Sequence, residues 1–141
     1  MSQTIDSINP KYRLGIDEMD IQHARWIRLI EEFRSVAEGK LLEPAGIDAA
    51  ESALVQLREY TASHFASEEQ FMSTRGYPGL EAHKLRHREL EALVRALLED
   101  LRSHKGSRAP LKLNLLVTIW LLEHILQEDG KYARFVVGRT Q

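Results

Sequence analysis

Apolar residues in this chain recur at alternating steps of three and four, and five histidines stand in the same rows. The pattern is clearest in Met19, His23, Trp26, Ile30, Phe33 and Ala37, which are spaced 4-3-4-3-4. Residues at those spacings share one face only in an α-helix, and a seam that narrow buries itself against other helices. The same rows run through Leu54, Leu57, Thr61, His64, Glu68 and Phe71, and through Leu80, His83, His87, Leu90, Val94, Leu97 and Leu101. They return at Leu113, Val117, Trp120 and His124.

Breakers divide these rows into four helices. The first 17 residues read as an irregular arm punctuated by Pro10 and Gly15. Helices are expected over about 18–38, 48–75, 80–105 and 110–129. Gly39 closes the first, Asp48 with Glu51 resembles a capping box opening the second, and Gly76, Pro78 and Gly79 end it. Gly106 follows the third and Pro110 opens the fourth. No sustained two-residue alternation argues for a strand. The expected class is all-α: an antiparallel up-down-up-down four-helix bundle with an irregular N-terminal arm, one domain spanning residues 1–141.

The bulk numbers exclude several classes of function. A formal charge of −2, with no basic cluster, offers nothing to nucleic acid. The absence of cysteine excludes a disulfide framework and thiolate-held metal. The most apolar stretch, LNLLVTIWLL at 113–122, is too short for a membrane span, which needs roughly 18 residues. The N-terminus has no apolar leader region, so a cytoplasmic protein is expected.

The polar residues on the seams carry the chemistry. His23, His64, Glu68, His83, His87 and His124 all fall on core-facing rows, and Asp129 lies five beyond His124, within side-chain reach of the same face. One seam histidine alone is more often a hydrogen-bonded core residue than a ligand, and one HxxxH, as in HKLRH, is more often a solvated face. Five histidines and two carboxylates converging in one bundle are different, because burying them without a strong partner costs several kcal/mol. No seam Lys or Arg stands opposite Glu68, and a metal centre satisfies the whole set. His104, near the end of the third helix in RSHKG, is off the seam and reads as a surface residue near a helix C-terminus.

Seven ligands exceed the needs of one zinc, and five imidazoles are wrong for calcium or magnesium. Imidazole with carboxylate suits iron, with manganese, copper or zinc as less neat alternatives. If both carboxylates bridge two six-coordinate irons that also share one oxide or hydroxide, a single coordination position stays open. A single vacancy in an apolar pocket suits a small diatomic ligand.

The order His23, then HFASE with His64 and Glu68, then HKLRH with His83 and His87, then HILQED with His124 and Asp129, resembles the hemerythrin family, and within it the single-domain bacteriohemerythrins. The resemblance covers nearly the whole chain. It implies two iron ions, cycling between Fe2+ and Fe3+ with a bridging oxo or hydroxo group. It implies that His83, His87 and His124 ligate the coordinatively full iron, that His23 and His64 ligate the open one, and that Glu68 and Asp129 bridge them. It also implies a water-excluding O2 pocket, for which Phe65, Trp120, Leu121 and Ile125 are the candidates. One departure is Tyr12, in an arm where many members carry Trp. The expected function is reversible O2 binding for storage, transport or delivery, not enzymatic turnover. An O2, NO or redox sensing module and a di-iron redox enzyme are the alternatives. O2 is the expected partner, with NO or small anions as further ligands.

Overall fold

The computed structural model describes residues 9–40, 44–103 and 118–138, with the side chains of 37–40, 44, 45 and 47 left aside. A 3-10 turn, Pro10–Tyr12, leads into α1, Asp17–Lys40. The helices α2, Pro44–Thr74, and α3, Leu80–Ser103, follow. The last helical run, α4, covers residues 118–138; it holds a π turn at Ile125–Asp129 and ends in the α-helical segment Gly130–Gly138. The expected opening of the fourth helix at Pro110, its seam residues Leu113 and Val117, and His104 lie outside the described residues. No strand occurs among the described residues, and none of their helices is long and apolar enough to cross a membrane.

Side-chain pairs fix the helix directions. Gln22 near the start of α1 reaches Ser67 near the end of α2, and Trp26 Nε1 donates to Thr61 Oγ1 at 2.8 Å. Glu51 near the start of α2 accepts from Arg102 near the end of α3, while Glu69 meets Arg88. His83 faces Asp129 and His87 faces His124, so α3 and α4 also run in opposite senses. The chain is therefore an antiparallel four-helix bundle, the arrangement that short connections favour.

Three boundaries differ from the sequence expectation, the first being α1, which runs through Gly39 to Lys40 instead of closing there. Helix α2 begins at Pro44 rather than near Asp48. Proline suits a first turn, because its ring fixes a helical φ and its missing N–H has no intrahelical partner there. Helix α4 runs on through Gly130 to Gly138, past the expected end near 129. Gly130 holds ordinary helical angles, φ −57 and ψ −33. Burial of Tyr132 and Ala133 just beyond it outweighs the roughly 1 kcal/mol that a helical glycine costs.

The turn after α2 follows the expected breakers. Tyr77 N–H donates to the Met72 carbonyl and Gly76 N–H to the Ser73 carbonyl, with Gly76 at φ +67. This is a Schellman closure, and Tyr77 and Met72 supply its apolar contact. A Cβ at Gly76 meets nothing within 4 Å, so substitution there strains only the backbone. Gly76→Ala is expected to cost about 1–2 kcal/mol, seen as a lower urea midpoint at unchanged slope.

Two apolar clusters fill the bundle with a polar layer between them. The larger includes Trp26, Ile30, Phe33, Leu54, Leu57, Phe65, Val94, Leu97, Leu101, Leu121 and Ile125. The smaller is Met19, Phe71, Met72 and Tyr132. Each helix passes from one cluster to the other through a ligand-type residue: His23 on α1, His64 and Glu68 on α2, His83 and His87 on α3, His124 and Asp129 on α4.

Candidate metal centre

All seven residues of the polar layer are buried, none more than 5% exposed. They meet around two carboxylates whose oxygens divide the histidines. Glu68 Oε2 lies 3.1 Å from His23 Nε2 and 3.6 Å from His64 Nε2. Glu68 Oε1 lies 3.1 Å from His87 Nε2 and 3.8 Å from His83 Nε2. Asp129 repeats the division, with Oδ2 at 3.0 Å from His23 Nε2 and Oδ1 at 3.0 and 3.1 Å from His83 and His124 Nε2. Two ligand groups result, each with its ligand atoms within 4.8 Å of one another. One is His83, His87 and His124 with both carboxylates; the other is His23 and His64 with both carboxylates.

The π turn makes the last ligand possible. In a regular α-helix, five residues advance about 140° beyond a full turn, which would aim Asp129 away from His124. The wider π turn at Ile125–Asp129 absorbs the extra residue and returns Asp129 to the face of His124.

The donor set fits a cation better than it fits itself. His64, His83 and His124 Nε2 and both Asp129 oxygens are buried without a hydrogen bond. Asp129 Oδ1 is 3.0 Å from His83 Nε2, yet the two are not aligned for one. A buried polar atom left unpaired costs about 1–3 kcal/mol, so five around one space call for a shared partner. Two rings have their tautomer set from behind: His64 donates Nδ1–H to Gln22 Oε1 at 2.8 Å, and His87 donates Nδ1–H to Glu69 Oε2 at 2.7 Å. His64 then presents a bare Nε2 to the centre, as metal-binding histidines do, while His87 turns its Nε2 to Glu68 Oε1 at 3.1 Å. His23 Nδ1 is also without a hydrogen bond among the described residues.

The electrostatics point the same way. Burial lowers the His23 pKa, but Asp129 and Glu68 outweigh it and push it up to about 10; His83 rises to about 9 for the same reasons. His64 falls to about 4, chiefly through burial, with the positive charge of His23 adding to it. Burial alone would raise Glu68 and Asp129, and the facing histidines instead hold both below the usual carboxylate range. Two anionic carboxylates thus draw positive charge into a site closed to water.

The expected pocket residues divide. Phe65, Leu121 and Ile125 are fully buried. Phe65 stacks flat on His87, with centroids 3.7 Å apart, and lies 5.5 Å from His124. Trp120 departs from its expected place on the seam: it is 37% exposed and lines an outer groove with Arg86, Glu89 and Gln127. The buried face of α4 passes through Thr118, Leu121 and Ile125, which puts Trp120 about 130° from its middle, on the outer side of His124.

Three residues in contact with the ligands escape the seam pattern. Tyr132 is fully buried and donates its hydroxyl to Glu68 Oε2 at 2.7 Å; burial and the two carboxylates hold its phenol far above the usual range, so it stays protonated. Its signal is the spacing of three from Asp129, hidden by Gly130. Gln22 and Glu69 stand next to His23 and Glu68 in sequence and back the rings of residues on neighbouring helices, which no local pattern announces.

Comparison with known proteins agrees with this geometry. The family described as "Hemerythrin HHE cation binding domain" matches residues 14–136. A bacteriohemerythrin of Stenotrophomonas maltophilia is 33% identical over 121 residues, covering 85% of this chain and 74% of that protein. A bacteriohemerythrin of Clostridium acetobutylicum is 27% identical over 123 residues, covering 86% and 94%. A hemerythrin of Sipunculus nudus is 36% identical over 107 residues, covering 76% and 82%.

Proposed function

This chain belongs to the hemerythrin family, and we propose that it binds O2 reversibly, as a carrier, store or delivery protein, at a di-iron centre held by the seven polar-layer residues. In this reading His83, His87 and His124 would hold one iron, His23 and His64 would hold the other, and Glu68 and Asp129 would be shared between them. The supporting observation is the division of oxygens: each carboxylate turns one oxygen to the three-histidine group and the other to the two-histidine group. The two-histidine group supplies one ligand fewer, so a small ligand would bind on its side.

A reduced iron pair supplies an open coordination position and two electrons for a diatomic ligand. The chain supplies the rest. Gln22 and Glu69 fix two rings so that Nε2 faces inward. Tyr132 donates to Glu68 Oε2 and fixes the orientation of that carboxylate between the two histidine groups. Phe65, Leu121 and Ile125 close the layer with hydrocarbon and keep water from the site. Tyr132 is committed to Glu68 and its phenol is held protonated, so it is a poor source of protons for turnover; binding is favoured over catalysis.

The test is anaerobic reduction of the iron-loaded protein, exposure to O2 with the visible spectrum recorded, and purging with inert gas. A coloured form that appears with O2 and bleaches on purging, at two irons per chain, is expected. Immediate, permanent oxidation would count against reversible binding and favour sensing or redox turnover.

A further inference from the structure

The two ends of the centre are backed by different chemistry. On the two-histidine side, His64 donates Nδ1–H to the neutral amide of Gln22, which is tied in turn to Ser67 Oγ at 2.9 Å. On the three-histidine side, His87 donates Nδ1–H to a carboxylate, Glu69 Oε2, at 2.7 Å. The same oxygen accepts from Arg88 Nη2 at 2.6 Å, and Arg88 also reaches Glu91 at 3.1 Å. The Glu69 side chain is 14% exposed and that of Arg88 55%, so the link runs from a buried ring to the surface in two steps.

We propose that Glu69 and Arg88 act as a pair of positioning residues that set how strongly His87 donates to its iron, and so set the reduction potential of the three-histidine end. The inference rests on the di-iron reading above. A carboxylate accepting an imidazole N–H makes the ring a stronger donor and stabilises the more oxidised metal, whereas an amide does so less. Hydrogen bonding behind a ligand is a recognised control on iron potentials. Arg88 shares the accepting oxygen and withdraws part of that effect. Because Arg88 is exposed, salt weakens its hold and the potential becomes sensitive to ionic strength. The iron held by His83, His87 and His124 is then the more readily oxidised of the two.

The experiment is a spectroelectrochemical titration of the iron-loaded chain and three variants at two ionic strengths. Glu69→Gln gives the three-histidine end the amide contact already present at Gln22. It is expected to raise the potential and, in a titration of the iron-free chain with Co2+ alone, to weaken one of two sites about 10- to 100-fold while sparing the other. Arg88→Met is expected to lower the potential and to remove most of its salt dependence. Arg86→Met is the control: it deletes the same charge from a nearby exposed residue that pairs with Glu89. Potentials in Glu69→Gln and Arg88→Met that match the parent, or move no further than in Arg86→Met, overturn the inference while leaving the di-iron reading intact. A parent chain that does not load two irons overturns both.

Discussion

Glu68→Ala is expected to leave a chain that folds but holds at most one metal ion. Glu68 is the residue common to both ligand groups on α2, and its two oxygens face four of the five histidines. With the carboxylate gone, Asp129 is the one remaining link between the groups, and two cations would approach each other with half of the bridging charge removed. The facing histidines already hold Glu68 in its anionic form against the cost of burial, so the carboxylate meets the metals deprotonated. Glu68→Gln separates charge from shape. It keeps the volume and one acceptor oxygen but turns an N–H2 group toward imidazole nitrogens that should face a metal. The check is metal content per chain after anaerobic loading with Fe2+ and desalting, with circular dichroism recorded on the same samples. Two irons are expected in the parent and one or none in both variants, at parental helicity. Two tightly held irons in Glu68→Ala would mean that the carboxylate does not bridge.

The seam explains why so much of this site can be read from the sequence. His23, His64, His83 and His87 each occupy a position that helical periodicity assigns to the core, and apolar neighbours on both sides fix the phase of each helix. Periodicity misleads where the phase is fixed on one side only. Leu113, Val117 and Trp120 phase the fourth helix from its N-terminal side, and the π turn at Ile125–Asp129 shifts the register just where the ligands occur. That phase puts Trp120 on the wrong face and does not extend to Tyr132. No periodicity argument foresees a π turn, although a five-residue gap between two inward-facing ligands is its trace. Gln22 and Glu69 are hidden for another reason. Each is one residue from a ligand on its own helix but serves a ring on the next helix, so only the packed bundle shows the contact.

Phe65→Ala is expected to damage stability and ligand retention together, because one ring does both jobs. Phe65 lies flat on His87, meets Trp26 edge-on at 5.4 Å, and joins the ligand layer to the larger apolar cluster. Truncating a buried phenylalanine costs about 3–5 kcal/mol, which for a chain of this length lowers the melting temperature by on the order of 10 °C. The space left would not be purely apolar. It would border the imidazoles of His87 and His124, and a cavity with polar partners takes up water where an apolar one stays dry. Water beside the centre would bring protons and polarity to it, so oxidation of the iron-loaded protein in air should quicken. Phe65→Leu distinguishes the two roles. It restores most of the hydrocarbon but not the flat contact with His87, so it should recover slow oxidation more fully than thermal stability. The measurements are a thermal melt of each metal-loaded variant and the rate at which its O2-dependent colour fades in air. If Phe65→Ala melts well below the parent yet fades no faster, Phe65 is only a core residue and does not keep water from the centre.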